Sequence, residues 1–577
     1  MKKELAERIE EALSGLLAQS SDTDPLPPVA LEVPRQSEHG DFSCNVAMGL
    51  ARRLGQSPRA IAEALLVELG DAGGMIDSAE VAGPGFINFR LAATAWQTRV
   101  TEIIREGLNY GSAPLGSGQA VQVEFVSANP TGPLSTGHGR NAVLGDCIAR
   151  LLQKVGFDVT REYYFNDGGR QMRVLGESIK ARYLEQLGRA AAPTAEALAD
   201  PENAWQEKRD GLPVAFPRDG YQGDYIATIA ALLVQEFGES LGDEPGEGLF
   251  REYAQKRIFS GINATLESIQ IFFEVHFNEK SLYDSGQLDQ VVEDLRALDL
   301  VYEGEGAVWL AATKLDLDRD RVLIKGSGEP TYLLPDIAYH REKFKRGFNH
   351  VIDVLGADHI EQFPFVQRAV GALGFDPDRL ELVMHQFVTI TNQGEKVKQS
   401  TRRATFVTVD ELVEEVGSDV FRFFMIERKP EGHLDFDLDL ARDRNWRKNP
   451  TYYIQYAHAR THGIERKAEE SGILMPSHDD FDPFLLDLPE EIELIRKLAE
   501  FPAMVLRAAE ARQPHHVAYY LRALAGLWHP YLQDGVRHRV VSQDAQLSQA
   551  RLALVKAVRI VIQEGLGLLG ISAPERM

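Results

Sequence analysis

Residues 121–155 constrain this chain more than any other stretch: VQVEFVSANPTGPLSTGHGRNAVLGDCIARLLQKV. The run opens with β-branched and aromatic residues, 121–126, which predict a buried strand. A loop follows with Pro130, Gly132 and Pro133, and then Gly137-His138-Gly139. From there Leu144, Cys147, Ile148, Leu151, Leu152 and Val155 recur every three or four residues, the period of a helix with one buried face. Gly156 ends that helix, and 159–165 reads as the next strand. Strand, glycine-bearing turn, helix and strand make a βαβ unit. The N-terminus of its helix offers unpaired N–H groups and the positive end of the helix dipole to a phosphate. The loop carries neither G-x-x-x-x-G-K-[ST] nor a clean G-x-G-x-x-G, so it is neither a P-loop nor a dinucleotide fingerprint.

A second alternating run lies far downstream: a strand at 351–355, a helix at 362–373 and a strand at 380–390. Two half-folds separated by other sequence fit a doubly wound parallel sheet with its ligand at the switch point between the halves. The span between them is rich in Ala, Pro, Asp and Glu at 189–243, and helical periodicity returns at 253–269 and 288–298.

Length and composition bound what surrounds this core. At 577 residues the chain should hold three or four domains of about 150 residues each. The net charge of −24 argues against nucleic-acid binding over the whole surface, so any such contact must use local basic patches. Cys44 and Cys147 stand alone, which excludes a disulfide framework and a cysteine-based zinc site; no dedicated metal site is predicted. The start, MKKELAERIEEAL, is an acidic amphipathic helix rather than a signal peptide, and no apolar run reaches the ~18 residues of a membrane span. A cytoplasmic protein with no membrane contact is expected, and nothing demands more than a monomer.

The small residue-Gly-His at the mouth of the first helix resembles the HIGH signature of class I aminoacyl-tRNA synthetases. The phrases around it, EFVSANPTGPL and GHGRNAVLGD, resemble the arginyl-tRNA synthetase form. The resemblance implies an α/β multidomain fold: an N-terminal α+β domain over 1–115, a Rossmann-type catalytic domain over 116–441 with an insertion at roughly 189–320, and an all-helical anticodon-binding bundle over 442–577. It implies ATP with Mg²⁺, L-arginine and tRNA(Arg) as the molecules bound, and arginyl-adenylate as the intermediate.

Site residues follow from the matched motifs. Gly137, His138 and Gly139 would meet ATP, with His138 and Ser135 at the α-phosphate. Gly356-Ala357-Asp358-His359 follows a strand; Gly356 would admit a ribose, Asp358 would accept from its hydroxyls, and His359 would sit near either ATP or the amino acid. The basic segment Lys396 to Arg403 resembles the mobile KMSKS loop, so Lys398 and Ser400 would cover the β- and γ-phosphates and Lys398 would hold the leaving pyrophosphate. A guanidinium presents a rigid planar fork of donors and needs carboxylate partners in a partly dry pocket. The family spacings Glu-x-x-x-x-Asn and Tyr-x-x-x-Asp both stand here, so Glu124, Ser127, Asn129, Tyr332 and Asp336 are the expected arginine site.

Two motifs depart from the family pattern. Ser135 stands where the tetrad has its first His, and Gln399 and Thr401 stand where the second motif has Met and its second Lys. Ser135 can donate to a phosphate oxygen but carries no charge; Arg402 or Arg403, with Lys396, would supply it. The same departures fit a second reading, a non-catalytic tRNA-binding relative. A third reading, another class I synthetase, is disfavoured because two acids suit a cationic side chain.

tRNA contacts are expected at both ends. HGDF at 39–42 and GPGFINF at 83–89 resemble the family's N-terminal extension, placing Asn88 and either Phe86 or Phe89 against a tRNA base; alternatively Asn88 caps a turn and the phenylalanines are core. NPTYYIQYAHAR at 449–460 resembles the start of the anticodon-binding domain, with Asn449 as cap, Pro450 in the first turn, and Tyr456 and Arg460 one turn apart for stacking and charge. Trp528 is expected in the core. The helix at 492–511 is expected to kink at Pro502.

Overall fold

The computed structural model describes residues 1–18, 25–34, 36–357, 360–397 and 407–577. The βαβ unit read from the sequence is the centre of the molecule. Strand β1 (Ala120–Glu124) runs into helix α1 (Thr136–Lys154) and strand β2 (Asp158–Phe165). Strand β3 (Val275–Asn278) continues on the far side of β2. The second half is helix α2 (Leu333–Lys345), strand β4 (His350–Gly356), helix α3 (Phe363–Ala372) and strand β5 (Leu380–His385). The five strands are parallel in the order β5-β4-β1-β2-β3, so the chain winds outward from β1 in one direction and from β4 in the other. A crevice opens between β1 and β4 at their carboxyl ends, where such sheets bind ligands.

Two expectations need correction here. β3 falls inside the 189–320 span expected as an insertion. Its four residues, VHFN, carry no apolar run, so only its pairing with β2 reveals it. The stretch 380–390, read as one strand, is two. β5 ends at His385, and Val388–Asn392 joins a separate sheet with Glu395–Lys396 and Leu434–Asp437. Between β3 and α2 lies a helix, Gln287–Ala297, and an antiparallel three-stranded sheet. Their buried Leu288, Val291, Leu310 and Leu323 share one core with Leu334 and Ile337 of α2 and Val366 of α3.

The N-terminal domain is a four-stranded antiparallel sheet covered by helices Lys2–Ala18, Val46–Leu54 and Pro58–Leu69. Ser57 caps the last by accepting from the Ala60 N–H at 3.2 Å, with Pro58 in its first turn. Gly40 is obligatory: its φ is +89°, and a Cβ there would lie 2.4 Å from the Phe89 carbonyl oxygen. Asn88 lies in mid-strand opposite Ser43 and Glu80, so it caps no turn. The sheet ends at Leu91, short of the expected limit of 115. Helix Ala93–Glu106 packs instead into the C-terminal bundle, where Gln97 Nε2 donates to the Phe484 and Leu486 carbonyls (3.3 and 2.9 Å).

The C-terminal region is helical from Pro450–Glu470 to Ala545–Leu568. Asn449 Oδ1 accepts from the Thr451 N–H at 3.0 Å and Pro450 opens the helix, as its sequence predicts. The stretch 492–511 is two helices rather than one kinked helix: Pro489–Ala499 ends before Phe501–Glu510, whose first turn holds Pro502, where its missing N–H costs nothing. Trp528 is fully buried and donates to the Ala457 carbonyl at 3.2 Å.

Candidate active site

β1 ends abruptly. Val126 (φ +67°) and Ser127 (φ +43°) take left-handed backbone that side-chain-bearing residues seldom adopt, so their contacts must hold the turn. The Val126 N–H donates to Asn141 Oδ1 at 2.6 Å, and Asn141 Nδ2 donates to the Val354 carbonyl at 2.7 Å, tying α1 across the ends of β1 and β4. Ser127 Oγ donates to Glu124 Oε1 at 2.8 Å and accepts from the Tyr164 N–H at 3.2 Å. Asn129 joins the loop to the end of β2: its Oδ1 accepts from the Asn166 N–H (3.1 Å) and its Nδ2 donates to Gln171 Oε1 (3.0 Å).

The tip of α1 is built for a polar ligand. Ser135 is its N-cap, and the Ser135 N–H donates to His138 Nδ1 at 3.2 Å, with Ser135 Oγ 3.1 Å from the same nitrogen. Because Nδ1 accepts, the neutral imidazole carries its proton on Nε2. Gly137 leaves the backbone of the first turn open: among the described residues, a Cβ there would meet only Ser135 Oγ, at 3.7 Å. Gly139 is required for the opposite reason: a Cβ would come within 2.7 Å of Phe421 and 2.9 Å of Val409. Thr136 Oγ1 donates to the Val407 carbonyl at 2.8 Å, and the Val409 N–H donates to the Leu134 carbonyl at 2.9 Å. The chain that follows the basic segment is therefore fastened directly to this helix tip. Lys398, Ser400, Arg402 and Arg403 lie outside the described residues, as do Asp358 and His359; Gly356 closes β4 beside the crevice.

Beneath the crevice runs a ladder of acids. Asp353 of β4, Glu124 of β1 and Glu162 of β2 are register partners across three adjacent strands. Helix α2 lays His340 and Lys343 over them, and Arg346, its C-cap, continues the three-residue spacing of that face. Lys343, fully buried, donates to Glu124 Oε2 at 2.5 Å and to Asp353 Oδ1 at 2.7 Å. His340 Nε2 lies 2.6 Å from Asp353 Oδ2, and its Nδ1 lies 2.7 Å from the Asp336 carbonyl oxygen. Two acceptors on two ring nitrogens favour the imidazolium; although burial opposes the charge, Asp353 holds the His340 pKa above its usual value. Arg346 grips Glu162 through both terminal nitrogens (2.6 and 2.8 Å), and Tyr339 donates to it at 2.7 Å.

A second set of acids is treated differently. Asp336 accepts from Gln362 Nε2 and has no ion pair among the described residues. Burial first, and the charges of Glu124 and Glu279 after it, push its carboxyl up to about 7 against the pull of His340. Glu279, just past β3, is buried and accepts from the hydroxyls of Tyr164 (2.6 Å) and Tyr283 (3.3 Å) and from the Asn166 amide. Burial raises it too. Tyr164 packs against Tyr339 in a tilted pair, ring centroids 4.5 Å apart, and the charges of Glu279, Asp336 and Glu124 all reach its hydroxyl, so the three acids lie around one ring.

Two of the residues expected at arginine stand in settings the sequence did not suggest. Glu124 already holds Lys343, whereas neither Asp336 nor Glu279 has an ion pair among the described residues. Tyr332, expected to wall the pocket, is 75% exposed at the start of α2, and the buried rings are Tyr164 and Tyr339. Sequence reasoning missed Glu279 because a lone acid after an unrecognised strand gives no signal. Gln362 and Lys343 had better ones, three residues past the Gly356–His359 segment and seven past Asp336 on the same helix.

The residues expected at tRNA are partly committed to the fold. Phe86 is exposed and Asn88 half-buried on one face of their strand, whereas Phe89 is core. Tyr456 packs against Trp446, centroids 4.4 Å apart, and Arg460 lies 5.8 Å over the Tyr456 ring while donating to the Leu532 carbonyl at 3.4 Å. Trp446, stacked also by Arg447, is a surface aromatic that the sequence reading passed over.

Comparison with known proteins agrees with this geometry. Residues 99–431 match the profile "tRNA synthetases class I (R), catalytic domain", residues 3–91 match "Arginyl tRNA synthetase N terminal domain", and residues 454–577 match "DALR anticodon binding domain". The chain is 47% identical over 547 residues to an arginine–tRNA ligase of Desulfotalea psychrophila, covering 95% of this chain and 94% of that one. It is 45% identical to the arginine–tRNA ligase of Salinibacter ruber, covering 95% and 96%. A crystal structure of a putative arginyl-tRNA synthetase from Campylobacter jejuni, 30% identical, superposes with a TM-score of 0.73 over 84% of this chain and all of that one. The chain belongs to the arginyl-tRNA synthetase family of class I aminoacyl-tRNA synthetases.

Proposed function

We infer that the chain attaches L-arginine to tRNA(Arg) in two steps, through arginyl-adenylate. The observation that carries the choice of amino acid is the pair Asp336 and Glu279: buried acids beside the Tyr164 ring, with no ion pair among the described residues. A planar guanidinium supplies charge and a fork of donors at once. Glu124 at the end of β1, aimed by Ser127 and by Lys343 of α2, is the anchor for the α-ammonium.

In the first step a carboxylate oxygen of arginine bonds to the α-phosphorus of ATP, and the bond from that phosphorus to the bridging oxygen breaks as pyrophosphate leaves. Such a transfer needs positioning and charge stabilisation rather than an enzyme nucleophile. His138 Nε2–H and the open first turn of α1 face the α-phosphate, and Ser135 orients the imidazole through its backbone N–H. Mg²⁺ accompanies the triphosphate as part of that substrate. Lys398 and Ser400, from the basic segment that leads into Val407, act on the β- and γ-phosphates. In the second step a terminal ribose hydroxyl of tRNA takes the arginyl group and AMP departs.

ATP–pyrophosphate exchange in the presence of tRNA(Arg) tests the reading, with lysine, glutamine and cysteine as controls. Arginine alone should support exchange, and His138→Ala should abolish it. Exchange with lysine as good as with arginine would refute the guanidinium assignment.

A further inference from the structure

Glu124 and Asp336 stand on different elements, a strand and a helix, and nothing in either side chain fixes the distance between them. Among the described residues, Lys343 is the α2 side chain that bonds to β1. It sits one turn beyond His340 and two beyond Asp336 on the same helix, has no solvent exposure, and spans Glu124 and Asp353 at 2.5 and 2.7 Å. His340 repeats the attachment to Asp353 one turn earlier while holding the carbonyl of Asp336 itself.

Resting on the arginine reading above, we propose that Lys343 is a positioning residue for the amino acid. It locks α2 against β1 and so sets the span between the ammonium anchor Glu124 and the guanidinium anchor Asp336. The lattice of bonds is a ruler for side-chain length. An arginine bridges the two anchors; a guanidino acid one methylene longer or shorter does not. Lys343 needs no contact with substrate for this. A buried cation shared by two acids is costly to desolvate and is worth keeping where it fixes register. Met, of similar length but uncharged, removes the lock and leaves Glu124 and Asp353 adjacent with no shared cation.

The test uses the full-length protein with tRNA(Arg), measuring exchange with arginine, homoarginine and the one-methylene-shorter homologue. Lys343→Met should raise the arginine KM by about a hundredfold, the size of effect an ångström of misplacement produces. The ATP KM should stay near wild type, and the preference for arginine over its homologues should narrow. Adding Asp353→Asn, which removes the stranded like charge without rebuilding the lock, should leave the preference narrowed; full recovery of the preference would show that charge rather than position was at work and would overturn the proposal. His340→Gln, a milder cut in the same lattice that leaves Lys343 in place, should narrow the preference in the same direction and serves if Lys343→Met does not fold. An unchanged preference in a folded variant would overturn the proposal, as would arginine KM, ATP KM and melting temperature all worsening together. Wild-type protein with no arginine-dependent exchange would instead refute the functional reading, a separate outcome.

Discussion

Two groups of carboxylates share the crevice at the carboxyl ends of the same sheet, and they differ in one respect. The ladder of Asp353, Glu124 and Glu162 is matched by His340, Lys343 and Arg346. The pair of Asp336 and Glu279 receives only amide and hydroxyl donors among the described residues. Burial raises the pKa of both members of the pair, whereas Lys343 and His340 hold Asp353 far below the carboxylate range in spite of its burial. Matched acids fix where helix and strand stand relative to each other. Unmatched acids store an electrostatic cost that a cationic ligand relieves on binding. Among the described residues the cations stand on the ladder, and the pair has none.

The sharpest way to break this contrast is to neutralise one acid of each kind. Asp336→Asn should lower kcat/KM for arginine about a thousandfold, roughly 4 kcal/mol, as expected for truncating one partner of a buried charge pair. The same change should leave the unliganded protein at least as stable as wild type, because it removes a buried charge that has no ion pair among the described residues. Arg346→Met should do the reverse. Glu162 has no solvent exposure, and stranding it should cost about 3 kcal/mol of stability, with little change in the arginine KM of the folded enzyme. Thermal unfolding and exchange kinetics on both variants decide it: a destabilised Asp336→Asn or a fully stable Arg346→Met would erase the distinction.

A pH titration sharpens the same comparison. Asp336 is raised to about 7 in the folded state, so its protonated form favours the fold. That contribution is complete below its unfolded value of about 4 and is lost as pH rises through about 7. Arginine needs the ionised form. The arginine KM should therefore climb as pH falls below about 7, by up to tenfold per unit, and arginine should raise the melting temperature more at pH 8 than at pH 6. Asp353 is shifted the other way, so the ladder stays charged across this window. Asp336→Asn should flatten both dependences; a profile that survives in that variant would assign the titration elsewhere.

Much of this was legible in the sequence, and the parts that were not share a cause. Strong periodicity and capping chemistry located α1, the helices at Pro58 and Pro450, and the switch between half-folds. These signals are local, and tertiary packing reinforces them. β3 was invisible because four residues hold no period, and Glu279 was lost with it. Glu124 and Asp336 were found by spacing, but spacing cannot say which acid already has a cation: Lys343 lies 219 positions from Glu124. The limit of the first domain was misplaced because helix Ala93–Glu106 follows the N-terminal sheet in sequence yet packs on the bundle in space. Charge matching and domain allegiance are properties of the assembled fold.

Gln122 gives the smallest effect and tests a third way of burying polarity. It lies on β1 one pleat before Glu124, on the same face, with no solvent exposure, and neither amide atom has a hydrogen-bond partner among the described residues. It belongs to neither group, being unmatched like Asp336 but uncharged and set below the crevice. A buried amide without partners costs about 1–3 kcal/mol, and replacing it with an apolar group of similar shape removes the cost. Gln122→Met should therefore stabilise the protein by about 1 kcal/mol and leave the arginine KM, the ATP KM and their pH dependence as they are. A lower melting temperature would show that the amide has a buried partner the chain itself does not supply. A changed arginine KM would show that the face beneath the ladder belongs to the specificity site, and the line between frame and pocket would have to be redrawn one pleat deeper.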